Sequence, residues 1–157
     1  VKGTDPITLV YSDDFSSIRK AVKHVKAQWE PSQPGVHHSN SYIERCNQDI
    51  LYGTRVALLQ AGLPACFWTF GSPHYCHVEN VTRDPATGES PWLLRHGKHF
   101  EGKVSPLGCG VHFVPAPTKY TNDKAAPSTS YGIFLGWRLA AGGRWNGEYL
   151  VVDLDDF

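Results

Sequence analysis

Short β-branched and aromatic runs alternate along the chain with stretches whose apolar residues recur every three or four positions, and glycine and proline punctuate the joins. Ile7-Thr8-Leu9-Val10-Tyr11 reads as a buried strand, because such side chains suit a pleated surface. It runs into the polar turn Ser12-Asp13-Asp14, which sets two carboxylates at the carboxyl end of a strand. Ile18, Ala21, Val22 and Val25 then keep helical spacing, with Ser16 or Ser17 available as a cap and Arg19, Lys20, Lys23 and Lys26 on another face. This predicts an amphipathic helix with a basic stripe. Pro31, Pro34 and Gly35 enforce a loop through His37, His38 and Ser39, since proline disfavours helix both at itself and just before.

From Ser41 to Gln60 the apolar residues Ile43, Ile50, Leu51, Leu58 and Leu59 fit one long helix, capped by Ser39 or Asn40, weakened at Gly53 and stopped at Ala61-Gly62. Glu44 falls in its first turn. Pro64 suits the first position of a following helix that carries Phe67, Trp68, Phe70 and Tyr75 into the core and reaches Val78. Asp84-Pro85-Ala86-Thr87-Gly88 is a turn, and Pro91-Trp92-Leu93-Leu94 a short helix before His96-Gly97-Lys98. Beyond a boundary near Glu101 the pattern becomes β. Gly110 to Val114 is one strand and Ile133 to Trp137 another, and Thr118 to Ser130 is a polar loop between them. Gly142-Gly143 and Asn146-Gly147 mark a turn before Tyr149 to Asp153, so the end of the chain reads as a hairpin.

Composition narrows the field without choosing a function. With 41% hydrophobic and 12% aromatic residues, 157 residues can build a packed core, which excludes wholesale disorder. Fifteen Lys plus Arg against fifteen Asp plus Glu give zero formal charge, so any affinity for nucleic acid has to come from a local patch. Cys46, Cys66, Cys76 and Cys109 form no C-x-x-C pair, which argues for reduced thiols over a zinc ribbon or a disulfide framework. The most apolar stretch, Val56 to Phe70, is interrupted by Gln60, Gly62 and Pro64 and falls short of a membrane span. No secretory signal is visible either, so an intracellular location, nuclear or cytoplasmic, is expected.

Among candidate chemistry, Asp13 and Asp14 at a strand end and Glu44 at a helix start are hard oxygen donors that could converge on divalent metal ions. Their ordinary alternatives are a turn and a helix-dipole complement. His74, Cys76 and His77 suggest zinc, but adjacent ligands without a second spaced pair favour packing, and the same holds for His37 and His38. Trp137, Trp145 and Tyr149 could stack on bases, with packing in the β region as the plainer use.

The string Pro34-Gly35-Val36-His37-His38-Ser39-Asn40-Ser41-Tyr42-Ile43-Glu44-Arg45-Cys46-Asn47 resembles the signature around the catalytic Glu of retroelement integrases. Other stretches match in the same order: Leu58 to Pro64 followed by Phe67-Trp68, then Ser90-Pro91-Trp92, His96-Gly97-Lys98, Leu107-Gly108-Cys109 and Gly132 to Trp137. The order is similar to the integrase region of Copia-type retrotransposon polyproteins, over nearly the whole chain. The resemblance implies an α/β fold, with residues 1–100 as the C-terminal part of an RNase H-like integrase core and 101–157 as a small SH3-like β-barrel.

It further implies DNA integration, by 3′-end processing and strand transfer, at a site where two Asp and one Glu hold two Mg²⁺ (or Mn²⁺) ions. Glu44 matches the Glu and Asp13 the second Asp, with Asp14 as its alternative, so Asp13 and Glu44 are the expected catalytic and metal-binding residues. The first Asp has no counterpart before Asp13, because Asp5 lies too close, and the fragment is expected to be catalytically incomplete. Ser41 replaces the usual Gly, and Gln48 an Arg. Element and target DNA are the expected partners, with a homo-oligomer in the intact parent. Arg19, Lys23, Lys26 and Arg45 are expected along the phosphate backbone, with Arg55 a further candidate; a solvated helix face and plain surface charge are their ordinary alternatives. The rival expectation is a non-enzymatic relic that binds DNA or a protein.

Overall fold

The computed structural model describes residues 6–33, 41–115, 125 and 127–156. Its elements are β1 (Leu9–Ser12), α1 (Ser16–Val25), β2 (Gln28–Pro31), α2 (Ser41–Ala61), α3 (Trp68–Val81), α4 (Pro91–His96), β3 (Gly110–Phe113), β4 (Ser130–Ala140) and β5 (Arg144–Asp153). One-turn 3-10 helices lie at Ala65–Phe67 and Leu154–Asp156. The fold is mixed α/β, with a two-stranded sheet ordered β1-β2 and a three-stranded sheet ordered β3-β4-β5. Two compact units divide the chain, Val1–Asp49 with Leu139–Arg144 and Ile50–Arg138 with Trp145–Phe157. The boundary expected near Glu101 falls inside the second.

In the first unit β1 and β2 are parallel neighbours, with Leu9 opposite Gln28 and Ser12 opposite Pro31. A parallel pair needs a crossover, and α1 supplies it. β2 escapes a reading of periodicity because it is short and carries one large apolar residue, Trp29, between Gln28 and Glu30. α1 begins at Ser16 with Phe15 as its uncapped N-cap, so Ser16 and Ser17 lie inside the first turn and do not cap it as expected. It closes at Lys26 in the left-handed region, φ 56°. Val22 is its buried residue. The strand expected to be buried is half open, since Val10 and Ser12 are half-buried while Leu9 and Tyr11 on the other face are exposed.

The second unit holds the main core: Leu58, Trp92, Leu107, Phe134, Leu135 and Trp137 are buried. Here α2 and α3 meet at small residues. The Thr54 and Ser72 hydroxyls hydrogen-bond at 2.9 Å, and the Tyr75 ring lies where a side chain on Gly53 would stand. The glycine expected to weaken α2 is therefore a contact point. Pro64 caps the 3-10 turn instead of starting a helix, and α3 buries Gly71, His74 and His77 at successive turns. Trp68 and Phe70, expected in the core, are exposed: Trp68 falls on the other side of that spacing, whereas Phe70 precedes His74 by one turn and lies at the edge of the buried stripe. Pro91 opens α4 behind Ser90, whose hydroxyl accepts the Leu93 N–H at 3.2 Å.

β3 pairs antiparallel with β4, Gly110 opposite Ile133 and Phe113 opposite Ser130. Leu107-Gly108-Cys109 docks on β4 through Gly108 N–H to the Phe134 carbonyl and Phe134 N–H to the Cys109 carbonyl, both 2.9 Å. A regular strand alternates its faces, yet Phe134, Leu135 and Trp137 are all buried. Gly136, at φ 145°, breaks the alternation between them. The β4–β5 turn is tighter than expected, at Ala141–Gly143, so Asn146-Gly147 lies inside β5. Among the described residues the three strands do not close into a barrel.

Candidate functional site

Asp13 directly follows β1, and β1–β2 register continued by one residue sets Ser32 opposite it. Ser32 N–H donates to the Ser12 carbonyl at 2.9 Å, and its hydroxyl donates to Asp13 Oδ1 at 2.8 Å. The parallel sheet thus fixes a serine against the candidate carboxylate, both exposed or half-buried at the carboxyl ends of their strands. In open α/β sheets, ligands bind beyond those ends. Ser32 was legible only through β2, since the register that finds it needs both strands.

Asp14 turns to a different task. Its carboxylate accepts a hydrogen bond from Arg19, whose guanidinium lies 4.6 Å from the Trp29 ring centroid, and Trp29 Nε1 donates to Ser12 Oγ at 3.1 Å. Asp14, Arg19, Trp29 and Ser12 therefore tie the turn after β1 to α1 and β2. Between the two adjacent carboxylates, Asp14 is the one held in an ion pair with Arg19.

Glu44 lies exposed in the first turn of α2, in the same compact unit as Asp13. Among the described residues no group of three or more His, Cys, Asp or Glu side chains is placed to hold a metal ion. Carboxylate oxygens are the right kind of donor for Mg²⁺, but Asp13 and Glu44 do not make up such a group. The Asn40 and His37-His38 part of the signature, Asp5 and most of the expected 118–130 loop lie outside the described residues.

Of the expected basic contacts, Lys23 and Lys26 are exposed at the end of α1 and Lys20 in its middle. Arg19 is committed to Asp14 and Trp29. Arg45 pairs with Asp49 across one turn of α2 at 3.9 Å, an exposed arrangement that contributes little to stability and still leaves the guanidinium accessible. Arg55 lies 5.7 Å from the Tyr52 ring centroid.

In the β region, Trp137 is buried and its Nε1 donates to the Lys103 carbonyl at 3.1 Å. Trp145 and Tyr149 pack edge to face at 5.3 Å, and the Tyr149 hydroxyl accepts the Lys103 N–H at 2.9 Å. These aromatics anchor the 100–105 segment to the hairpin. His74 and His77 pack against Trp137 at 5.1 and 4.3 Å. Burial pushes the His77 imidazole down to about 4, with repulsion from His74 adding to the effect, and burial likewise lowers His74 against a smaller opposing effect from its bond to the Ser105 carbonyl. Burial also raises the Cys76 thiol, so that cysteine is a poor nucleophile at neutral pH.

No described helix is long and apolar enough to cross a membrane. No protein-family model, no curated protein and no solved structure matches the chain.

Proposed function

We propose that the chain is the C-terminal part of an RNase H-like integrase core, followed by a β region related to SH3-like barrels, from a Copia-type retrotransposon polyprotein. In its parent it serves DNA integration, with Asp13 and Glu44 as two of the carboxylates. The observation that carries this reading is the order of the first unit. A carboxylate stands at the carboxyl end of a parallel strand, a crossover helix and second strand follow, and Glu44 opens the next helix. That order agrees with the motif order in the sequence.

The described carboxylates fit Mg²⁺ in kind and fall short in number, so the proposal assigns the chain DNA contact and no complete reaction. Lys23 and Lys26 contact phosphate, Asp13 and Glu44 face the same strand, and Ser32 holds the Asp13 carboxylate in place. Purified chain incubated with labelled duplex DNA and Mn²⁺ is expected to bind without cutting or joining, and to bind more weakly as salt rises. Metal-dependent joining that disappears in Glu44→Gln would overturn the incomplete-site part. Failure to retain DNA at low salt would overturn the reading as a whole.

The second reading, a non-enzymatic relic that binds DNA or a protein, is favoured by the commitment of Arg19 to Asp14 and Trp29. The double variant Asp13→Asn/Glu44→Gln separates the two. Carboxylates that face phosphate repel it in the absence of metal, so neutralising them strengthens DNA binding several-fold under the integrase reading. Unchanged binding favours the relic.

A further inference from the structure

Two imidazoles one turn apart on α3, His74 and His77, are 6% and 3% exposed in the middle of the second unit. Among the described residues, the contacts of these two imidazoles are with other rings and one carbonyl. Trp92 comes from α4, with His96 stacked on it at 4.1 Å; Phe100 and the Ser105 carbonyl come from the segment before β3; Phe134 and Trp137 come from β4. Among the described residues, the titratable group that acts on His77 is His74, and it acts by like-charge repulsion.

Hydrogen-bond accounting fixes what these rings can tolerate. The Ser105 carbonyl can only accept, so His74 Nε2, 3.0 Å away, carries the proton and Nδ1 is a bare lone pair. His74 Nδ1 and His77 Nε2 are both buried with no hydrogen-bond partner among the described residues. An imidazolium bears N–H on both nitrogens. Protonating His74 therefore creates a buried charge and a buried Nδ1–H with nothing to accept it, and a charged His77 must carry a buried Nε2–H in the same position. The Trp137 face, tilted 33° and 35° to the two rings, attracts a cation from one side, but it offers no acceptor to the new N–H.

We propose that His74 and His77 form an acid-opened latch. A proton taken from solvent by either ring detaches α3 from β4 and from the 100–105 segment, and the other ring, now wetted, takes a second proton in the same transition. Opening uncovers the Trp92, Phe134 and Trp137 surfaces while the helices themselves, held by their own backbone bonds, persist. Neither the integrase reading nor the relic reading requires this device, and neither is harmed by its failure.

Histidine ring resonances of the full chain, followed by NMR from about pH 7.5 to about pH 3.5 with near-ultraviolet circular dichroism on the same samples, test it. Both rings are expected to hold their neutral shifts below the ordinary value of 6.5 and then to change together, in one step that coincides with loss of the aromatic dichroism. In His77→Phe, which keeps a ring without a basic nitrogen, the midpoint is expected to move to lower pH and the transition to become shallower, from about two linked protons to about one. Titration of either ring near 6.5 with the aromatic dichroism intact would overturn the latch, as would an acid transition in His77→Phe identical to that of the parent. Should His77→Phe not fold at neutral pH, the ring titration of the unsubstituted chain decides by itself.

Discussion

Lys26 ends α1 at φ 56°, among the described residues the one non-glycine position in the left-handed region. A side chain there costs roughly 1–2 kcal/mol against about 0.5–1 kcal/mol of backbone entropy that a glycine would add to the unfolded chain. Lys26→Gly is therefore expected to stabilise the chain by on the order of 0.5 kcal/mol, read as a higher thermal midpoint. The same substitution removes one expected phosphate contact, so the log-log salt slope of DNA binding should shrink by about one unit if Lys26 lies on the backbone. A stabilised variant with an unchanged slope would take Lys26 out of the DNA face. At Gly53 the balance runs the other way. Alanine gains about 1 kcal/mol of helix propensity, but its Cβ would overlap the Tyr75 ring, and overpacking of that kind costs roughly 1–3 kcal/mol. Gly53→Ala should destabilise, and in a Tyr75→Ala background it should become neutral or stabilising. Denaturant melts of the four chains complete the cycle.

At the scale of elements, α4 has six residues and depends on its cap. Ser90→Ala leaves the Leu93 N–H unpaired and is expected to cost about 1 kcal/mol, with a loss of aromatic dichroism because Trp92 rides on that helix. The long, periodic α2 was legible in the sequence and ends where Ala61-Gly62 says it should, and the shorter α4, β3 and the core of β4 lie where their punctuation puts them. Misreadings came where a tertiary contact decides. β2 exists because β1 needs a parallel partner across α1, and Trp29 is held by Arg19 and Ser12 rather than by a hydrophobic run. Trp68 looks like core by composition, yet α3 turns Gly71, His74 and His77 inward and leaves Trp68 on the far side, since a helix face is a matter of phase and not of hydrophobicity alone. The carboxylate at the end of β1 was legible as a strand end followed by two acids. Which acid bonds Ser32 and which bonds Arg19 was not, because those partners come from two other elements.

For the whole molecule, burial is uneven. Val22 is the buried apolar residue described in the first unit, whereas Leu58, Trp92, Leu107, Phe134, Leu135 and Trp137 lie in the second. Hydrogen exchange is accordingly expected to be fast in β1 and β2 and slow in the middle of β4, with protection factors differing by orders of magnitude; equal protection would contradict this division. Stability should also depend on pH with a definite sign. Both buried imidazoles are held below 6.5, His77 at about 4, so between those values the unfolded chain binds more protons than the folded one. Their contribution is complete above pH 6.5 and is lost as pH falls toward 4, which denaturant midpoints across that window will register. The Trp29 clip has a spectroscopic consequence of its own. Of the five tryptophans in the chain, Trp29 is the one within residues 1–49, and its indole lies under a guanidinium and hydrogen-bonds a serine. A chain in which Trp68, Trp92, Trp137 and Trp145 carry a non-fluorescent isostere would show tryptophan emission from the first unit alone, and any ligand arriving at the end of β1, DNA under the proposed function, would be seen as a change in the colour and lifetime of a single lamp.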